Sequence, residues 1–276
     1  MLSTTLVSVV GVPLYVLKYG VSGSEITLMI FLCFATVFSI TVGYHRLYSH
    51  GAFKANGLVR FVVLFFGAGA FEQSALTWAS QHRMHHKYVD TDLDPYNIRY
   101  GFWYAHAGWI LFWKQPKARA NVKDLERSGL LVHQHAYYPY WAIGAGIIFP
   151  LVVGALTGHV LGAFCFSIAL RLAITLHSTF LINSMAHTWG SSNYDPTSSA
   201  KDNWFCAVLT NGEGYHNYHH RFPGDYRNGI RWYHHDPTKW IVWLLSRLGM
   251  AWDLRRTPDE QIVLALQETK ATKAPH

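Results

Sequence analysis

Two short stretches of this chain repeat one histidine pattern. Both "HRMHH" and "HNYHH" read His-x-x-His-His, and together they contain His82, His85, His86, His216, His219 and His220. Positions i, i+3 and i+4 lie within one turn of a helix, so each box is predicted to point its three rings toward one side. Neutral imidazole is a common ligand of first-row transition metals. The two boxes therefore predict a metal site.

Other histidines flank these boxes. "HRLYSH" contributes His45 and His50, and "NSMAH" contributes His187 together with Asn183. Nine clustered histidines are too many for one ion with four to six ligands, so the number indicates two metals. Ligation by imidazole without thiolate suits iron, zinc, copper or nickel rather than calcium or magnesium. Isolated histidines are interpreted as structural polar residues, namely His133, His135, His159 and His177.

The composition indicates a membrane protein. Half of the residues are hydrophobic, 16% are aromatic and only 14% are charged, against a usual quarter charged. The net charge of +7 could suit nucleic acid, but long apolar runs make membrane phosphate the expected anion and nucleic acid an unexpected partner. Three cysteines do not form an even set, so we expect no disulfides. The stretch "MLSTTLVSVV" lacks a basic start, so no cleavable signal is expected.

The apolar runs predict an all-α integral membrane protein with four transmembrane helices in two hairpins. The expected spans cover about residues 2–17, 26–44, 140–157 and 160–182. Arg171 lies inside the last span, so it must face protein or reach the interface rather than meet lipid. The segment 58–71 is too short to span comfortably and is expected to be a buried or interfacial helix.

The four spans also predict how the chain is oriented. Both termini fall on one side, together with segments 45–139 and 183–276, which hold nearly all the lysines and arginines. The positive-inside rule makes that side the cytoplasm. We therefore expect one domain over 1–276, in which a cytoplasmic helical domain caps the spans and holds the histidine-rich di-metal site. A bacterial inner membrane is favoured over the endoplasmic reticulum.

Several separated stretches share their order and spacing with a known family. They run from about Gly43 to Arg256 and read "GYHRLYSH", "WASQHRMHHKY", "DPYN", "GFWYAHAGW", "NSMAHTWG", "GEGYHNYHH", "FPGDYR" and "LGMAWDLRR". This set resembles the membrane-bound acyl desaturases of the stearoyl-CoA desaturase type. The resemblance implies an O2-dependent enzyme that introduces a cis double bond, at the delta-9 position, into a saturated acyl chain at a non-haem di-iron centre.

The resemblance also implies which residues hold the two irons. One iron would be held by His45, His50, His82, His86 and His219. The other would be held by His85, His187, His216 and His220, with Asn183 meeting it through a water. A ligating histidine usually donates its second N–H to a carboxylate or carbonyl, and the candidate carboxylates are Asp90, Asp92, Asp94 and Glu213. Their alternative role is a solvated acidic loop or a helix cap.

The acyl chain must bend into a buried apolar slot. By resemblance, Met29 and Cys33, which are i and i+4 on the second span, would lie near the methyl end of that slot. Trp78 and Phe180 are aromatic candidates for its wall. All four are equally compatible with ordinary packing in a membrane helix bundle.

One departure from the family concerns the acyl carrier. The acyl-CoA members have an Arg-Asp pair just before the second box, where this chain has Ser80 and Gln81. From the position of Met1 we also expect that the family's N-terminal CoA contact is not supplied. Lys114 is the one phosphate partner suggested, and it could equally be a surface lysine. CoA, acyl carrier protein and a lipid-linked substrate therefore all stay open. There is no His-Pro-Gly-Gly motif of a fused haem domain, so a separate ferredoxin, rubredoxin or cytochrome is expected to supply electrons on the cytoplasmic face.

Two other functions compete with desaturation. A histidine-box hydroxylase or ketolase uses similar ligands to insert oxygen into a lipid, but the second His-x-x-His-His box and the "NSxxH" element favour the desaturase. A metal transporter should place its ligands near the middle of the bilayer, usually at broken helices. Here the boxed histidines fall at span ends or outside the spans, so a transporter is disfavoured.

Overall fold

The computed structural model describes residues 2–113 and 120–273, which are mostly helical. In chain order the helices are α1 (Leu2–Tyr19), α2 (Gly23–Ser49), α3 (Gly57–Ala68), α4 (Ala75–Tyr88), α5 (Tyr104–Gly108), α6 (Trp109–Phe112), α7 (Gly129–Ala136), α8 (Tyr138–Leu156), α9 (Val160–His187), α10 (Trp204–Leu209), α11 (His216–Arg221), α12 (Pro237–Arg247) and α13 (Asp259–Lys273). Short 3-10 turns cover Ile98–Tyr100, Ala120–Val122 and Leu125–Arg127. Strands β1 (Lys54–Ala55) and β2 (Ala251–Trp252) pair antiparallel, with Lys54 opposite Trp252.

Four helices, α1, α2, α8 and α9, are long and apolar enough to cross a membrane, which confirms the predicted fold class. The observed α2 and α9 are longer than the predicted spans, because they continue to Ser49 and His187. His45 and His187 therefore lie on the helices and not after them. The predicted short apolar helix is also present, as the twelve residues of α3.

The start of α2 follows from its sequence. The Ser22 hydroxyl accepts a hydrogen bond from the Glu25 amide, and the Glu25 carboxylate accepts one from the Ser22 amide at 2.6 Å. This reciprocal pair satisfies two amides that have no partner inside the helix. The cap therefore fixes the start of α2 at Gly23.

The chain divides into two compact units. The first contains Met1–Tyr44, Arg60–Trp78 and Asp124–His177. Inside it, Arg171 is almost fully buried and donates to the carbonyl oxygens of Ser167, Gly69 and Gly146 at 2.7–3.1 Å. Its guanidinium thus faces protein, as the span pattern required.

The second unit contains His45–Val59, Ala79–Lys123 and Ser178–His276. Its interior is unusually polar, because many histidine, aspartate, glutamate and asparagine side chains are buried in it. Buried polar groups are costly unless they are hydrogen-bonded, and the partners described below supply many of those bonds. The single domain expected over 1–276 stays a prediction.

Candidate metal centre

The nine histidines singled out in the sequence all lie in the second unit and form two groups. Group A is His45, His50, His82, His86 and His219, and group B is His85, His187, His216 and His220. Within each group, one nitrogen of every ring lies within 4.8 Å of the others. Most of the rings are buried, and only His50, His86 and His220 are partly exposed.

The end of α2 brings His45 and His50 together through an unusual turn. Five residues apart on an α-helix, two side chains would diverge by about 140°. Over Ser39–Ser49, however, the helix widens to a π-helical turn, and the His50 amide donates to the His45 carbonyl at 3.2 Å. This i to i+5 bond realigns positions five apart. The two rings consequently lie 4.8 Å apart between centroids.

Each His-x-x-His-His box serves both groups. On α4, His82 and His86 are i and i+4 and enter group A, with ring centroids 4.6 Å apart, while His85 enters group B. On α11, the i and i+4 pair enters group B and His219 enters group A. The prediction that all three rings of a box point together was therefore wrong. On a helix the i+3 position lies about 60° short of a full turn and the i+4 position about 40° past it, so the i+3 ring points toward the other group.

The spacing of the ring nitrogens fits metal ions. The Nε2 atoms of neighbouring rings approach to 2.8–3.2 Å in the pairs His50 with His82, His45 with His219, His86 with His219, His216 with His220, and His85 with His220. Ligands at right angles around an ion with nitrogen bonds of about 2.0–2.1 Å would lie about 2.9 Å apart. The donor sets thus have the dimensions of coordination shells.

Carboxylates orient one ring in each group. His45 Nδ1 donates to Glu213 Oε2 at 2.9 Å, and His85 Nδ1 donates to Asp94 Oδ1 at 2.8 Å. With the proton held on Nδ1, the Nε2 atom presents its lone pair to the neighbouring ring. A ring whose Nδ1 proton is held by a carboxylate offers its Nε2 lone pair as a metal ligand, so these groups fit a metal in both chemistry and size.

The third oriented ring, His187, is held by a residue that the sequence did not reveal. Its Nδ1 lies 2.7 Å from the Ser199 hydroxyl, and its Nε2 is buried without a hydrogen-bond partner in the described part of the chain. Asp90 supports this arrangement by accepting from the Ser199 amide at 2.8 Å. Of the four candidate carboxylates, Asp92 does not contribute, because it is exposed and accepts from the Tyr100 hydroxyl.

The surroundings of six of these imidazoles favour the neutral form. Burial lowers the pKa far below its ordinary value, and neighbouring imidazoles lower it further, for His50, His82, His86, His216, His219 and His220. Burial alone would raise the pKa of Glu213, but the hydrogen bond from His45 and the charge and hydrogen bond of the Arg46 guanidinium hold it to about 2. Neutral imidazoles around an ionised carboxylate are suited to bind a cation.

Behind His45 lies a buried network of charged residues. Arg46 donates to Glu213 at 2.9 Å and to both carboxylate oxygens of Asp236 at 2.9 and 3.1 Å. Asn228 donates to Glu213 through its side chain at 2.7 Å and to Asp236 through its amide at 2.9 Å. The network fixes Glu213 and so the ring of His45. Arg46 lies between the predicted ligands His45 and His50 in "HRLYSH". That position is the one feature of the sequence that could have indicated a role for Arg46 in the site.

The other predicted site residues have different surroundings. Asn183 lies on α9, half-buried, four residues before His187. Phe180 is buried in the second unit and contacts the rings of His106 and Trp109. Lys114 lies outside the described residues. The role of Asn183 through a water stays a prediction.

The other predicted slot residues lie in the first unit. Met29 packs against the cluster of Val12, Cys165 and Phe166, and Cys33 is half-buried. Trp78 donates its indole N–H to Glu72 at 3.1 Å. Such contacts also occur in ordinary helix packing, so the slot stays a prediction.

Ser80, which the resemblance sets against an arginine of the acyl-CoA members, is hydrogen-bonded to another part of the protein. Its hydroxyl donates to the Asn121 side chain at 2.7 Å, and the Asn121 amide returns a bond to the Ser80 carbonyl at 2.8 Å. Arg83 also donates to the Asn121 carbonyl, at 2.8 Å. These contacts anchor the Ala120–Val122 turn beside α4.

Comparisons with known proteins show the family of the chain. Residues 25–252 match the model of a family described as Fatty acid desaturase. The chain is 43% identical over 234 residues to a "Probable acyl-CoA desaturase" of Schizosaccharomyces pombe, covering 84% of this chain and 49% of that one. It is 40% identical over 238 residues to "Acyl-CoA desaturase 1" of Saccharomyces cerevisiae, covering 85% and 47%. It is 37% identical over 237 residues to "Stearoyl-CoA desaturase 4" of Mus musculus, covering 82% and 66%.

The relatives differ from the chain in length, and all come from eukaryotes. The chain spans about half the length of the two yeast relatives. All three organisms are eukaryotes, so the comparisons do not support the prediction of a bacterial inner membrane.

Proposed function

The chain belongs to the fatty acid desaturase family, and from this membership we propose that it introduces a cis double bond into a saturated fatty acyl chain with O2 as co-substrate. It is a multi-pass membrane protein with four apolar helices. We place the double bond at the delta-9 position on the motif resemblance. The observation that carries the proposal is the pair of all-histidine groups, whose nitrogens have coordination spacing.

We propose that groups A and B each hold one iron. When bound, the two irons, with O2 and two electrons from a donor, would supply the oxidising power that an unactivated methylene requires. Two hydrogens leave adjacent carbons of the acyl chain, and O2 is reduced to two molecules of water with two further protons. The electron donor is a ferredoxin, rubredoxin or cytochrome.

The residues of the chain supply position and exclusion of water. Glu213, Asp94 and Ser199 hold three rings so that the Nε2 atoms point inward. Burial of most rings keeps water away from the groups and prevents side reactions of a strong oxidant. Phe180, in the same unit, presents a buried apolar ring suited to an acyl chain.

For the acyl carrier we favour CoA. The yeast relatives are named acyl-CoA desaturases, which supports a CoA thioester for this chain too. Ser80 cannot replace an arginine as a phosphate contact, because its hydroxyl is bound to Asn121. We expect that other cations of the chain meet the CoA phosphates.

Expression in a desaturase-deficient host tests the proposed reaction. Fatty-acid analysis of total lipid should show new cis-monounsaturated acyl chains with the double bond at carbon nine, relative to a host with empty vector. Hydroxylated or oxo fatty acids in their place would support the hydroxylase or ketolase alternative. A lipid profile unchanged from the empty vector, with the protein present in the membrane, would overturn the proposal.

The substitution Cys33→Phe tests the predicted end of the slot. If Cys33 closes the slot, a phenyl ring there shortens it, and product from shorter acyl chains should rise relative to product from longer ones. The measurement is this product ratio at matched protein levels. Overpacking alone costs about 1–3 kcal/mol and would lower product from every substrate equally.

A control on the same helix separates these outcomes. Ile30 is exposed, so Ile30→Phe enlarges a side chain that faces away from the packed interior. The ratio should match that of the parent chain. An unchanged ratio in Cys33→Phe as well would place Cys33 in ordinary helix packing.

A further inference from the structure

Large apolar side chains stay exposed on two helices of the second unit. On α10, Trp204 is 70% exposed, and Phe205, Val208 and Leu209 are also exposed. On α12, Trp240, Trp243 and Leu244 are each about half exposed. We call these seven residues the apolar patch. Helices that face water normally expose polar side chains, so this surface is unsuited to bulk water.

In α12 the polar side is buried and the apolar side is exposed, which is the reverse of a helix that faces water. Its buried side carries Thr238, Lys239 and Val242. The Lys239 ammonium is turned inward and donates to the backbone carbonyls of Gly229, Arg231 and His234. The outward positions 240, 243 and 244 follow the i, i+3, i+4 spacing of one helix face. The helix therefore buries a lysine and exposes an apolar stripe.

Hydrogen bonds place α10 beside the carboxyl-terminal part of α9 and link α12 to the residue stretch that follows α10. The Ser178 hydroxyl on α9 donates to the Leu209 carbonyl at 2.7 Å, and the Cys206 thiol lies 4.0 Å from the Leu181 carbonyl oxygen. The Thr238 hydroxyl donates to the Asn211 carbonyl at 3.0 Å, which ties the start of α12 to the end of α10. The patch is thus attached near Ser178.

The length of α9 sets the depth of that attachment. Its 28 residues extend about 42 Å, whereas the hydrocarbon core is about 30 Å thick. The surplus of about 12 Å equals about eight residues. The helix ends at His187, in group B, so the surplus lies at this polar end. Ser178 and Leu181 then fall at the boundary between hydrocarbon and headgroups.

From this depth we propose that the apolar patch is inserted in the headgroup region of the bilayer, on the side where α9 ends. Tryptophan is enriched at that boundary, because its ring is apolar and its N–H is polar. Arg247 lies 5.8 Å from the Trp243 ring, and its exposed guanidinium can meet lipid phosphates while its stem covers apolar surface. The second unit then contacts the membrane through this in-plane surface. The proposal does not depend on the proposed reaction.

Spin labels measure the depth of the patch directly. The three native cysteines, Cys33, Cys165 and Cys206, are replaced by alanine, and one cysteine is introduced as Trp243→Cys, Leu244→Cys or Trp204→Cys. The full chain is reconstituted in phosphatidylcholine vesicles, and relaxation of each label by O2 and by water-soluble chromium oxalate is recorded. We expect the ratio of O2 to chromium accessibility to be several-fold higher at these positions than at a water-facing site.

Val263→Cys on α13 is the matched control. Val263 is apolar and 50% exposed, like Trp243, but it lies outside the patch. Patch labels as accessible to chromium as the Val263 label would overturn the proposal, because the patch would face water. Labels shielded from both reagents would also overturn it, because another protein surface would cover the patch. Three independent positions keep the test decisive if one variant fails to fold.

Discussion

Replacing His85 or His219 with alanine should abolish desaturated product while the protein stays in the membrane. His219 belongs to group A and His85 to group B, so each change removes a proposed ligand from one ion. Losing a partner that only orients a ligand typically costs about 10–100-fold. Loss of the ligand itself should lower product by more than about 100-fold. The measurement is product per membrane-bound protein in the desaturase-deficient host.

Histidines outside the two groups provide the control. His133 is exposed on α7, and His159 lies in the turn between α8 and α9. Alanine at either position should leave most of the activity. An equal loss in all four variants would mean that stability had been mistaken for catalysis.

Replacing Arg46 with methionine should lower the free energy of unfolding by about 3–5 kcal/mol. The guanidinium neutralises Glu213 and Asp236, and all three side chains are almost fully buried. Without it, two carboxylates would stay buried close together with too little compensating charge. The midpoint of thermal unfolding of the purified protein in detergent, followed by tryptophan fluorescence, should fall clearly.

An exposed ion pair gives the comparison. Arg221 pairs with Glu268 at 3.0 Å, and both side chains are about half exposed. Arg221→Met should change the free energy of unfolding by less than about 1 kcal/mol, because water screens the pair. Equal decreases in the unfolding midpoint for Arg46→Met and Arg221→Met would contradict this prediction, because burial would then add nothing to the stability that the Arg46 network supplies.

Much of this architecture could be predicted because it depends on composition and local spacing. Runs of about twenty apolar residues determine the four spans, whatever the details of packing. The nine histidines stand out because seven of them occur in two His-x-x-His-His boxes and in "NSMAH", where residues three or four apart share a helix face. Arg171 had to face protein because lipid offers a charge no partner.

Other features depend on backbone geometry that spacing does not show. His45 and His50 are five apart and would diverge on a regular α-helix, and the widened turn at the end of α2 aligns them. The division of each box between the two groups depends on how the axes of α4 and α11 lie relative to each other, which residue spacing does not show. The same holds for Ser199, which contacts His187 from a loop twelve residues away in sequence.

Contacts between residues far apart in sequence explain the remaining features that the sequence did not predict. Arg46 meets Asp236 across 190 residues, and nothing in the local sequence around either residue indicates the other. Asp92 and Asp94 are two residues apart in one acidic stretch, yet Asp94 is buried against His85 and Asp92 is exposed. Composition also could not show that α10 and α12 turn their tryptophans outward, since the same pattern suits a buried helix face.

The metal content of the purified chain tests the central claim most directly. Protein prepared anaerobically from iron-rich medium should contain about two irons per chain, because nine imidazoles exceed the usual limit of six ligands around one ion. Zinc can replace iron during overexpression, so total metal is counted together with iron. A total that stays near one metal per chain under iron-rich conditions would contradict the assignment of groups A and B to two ions.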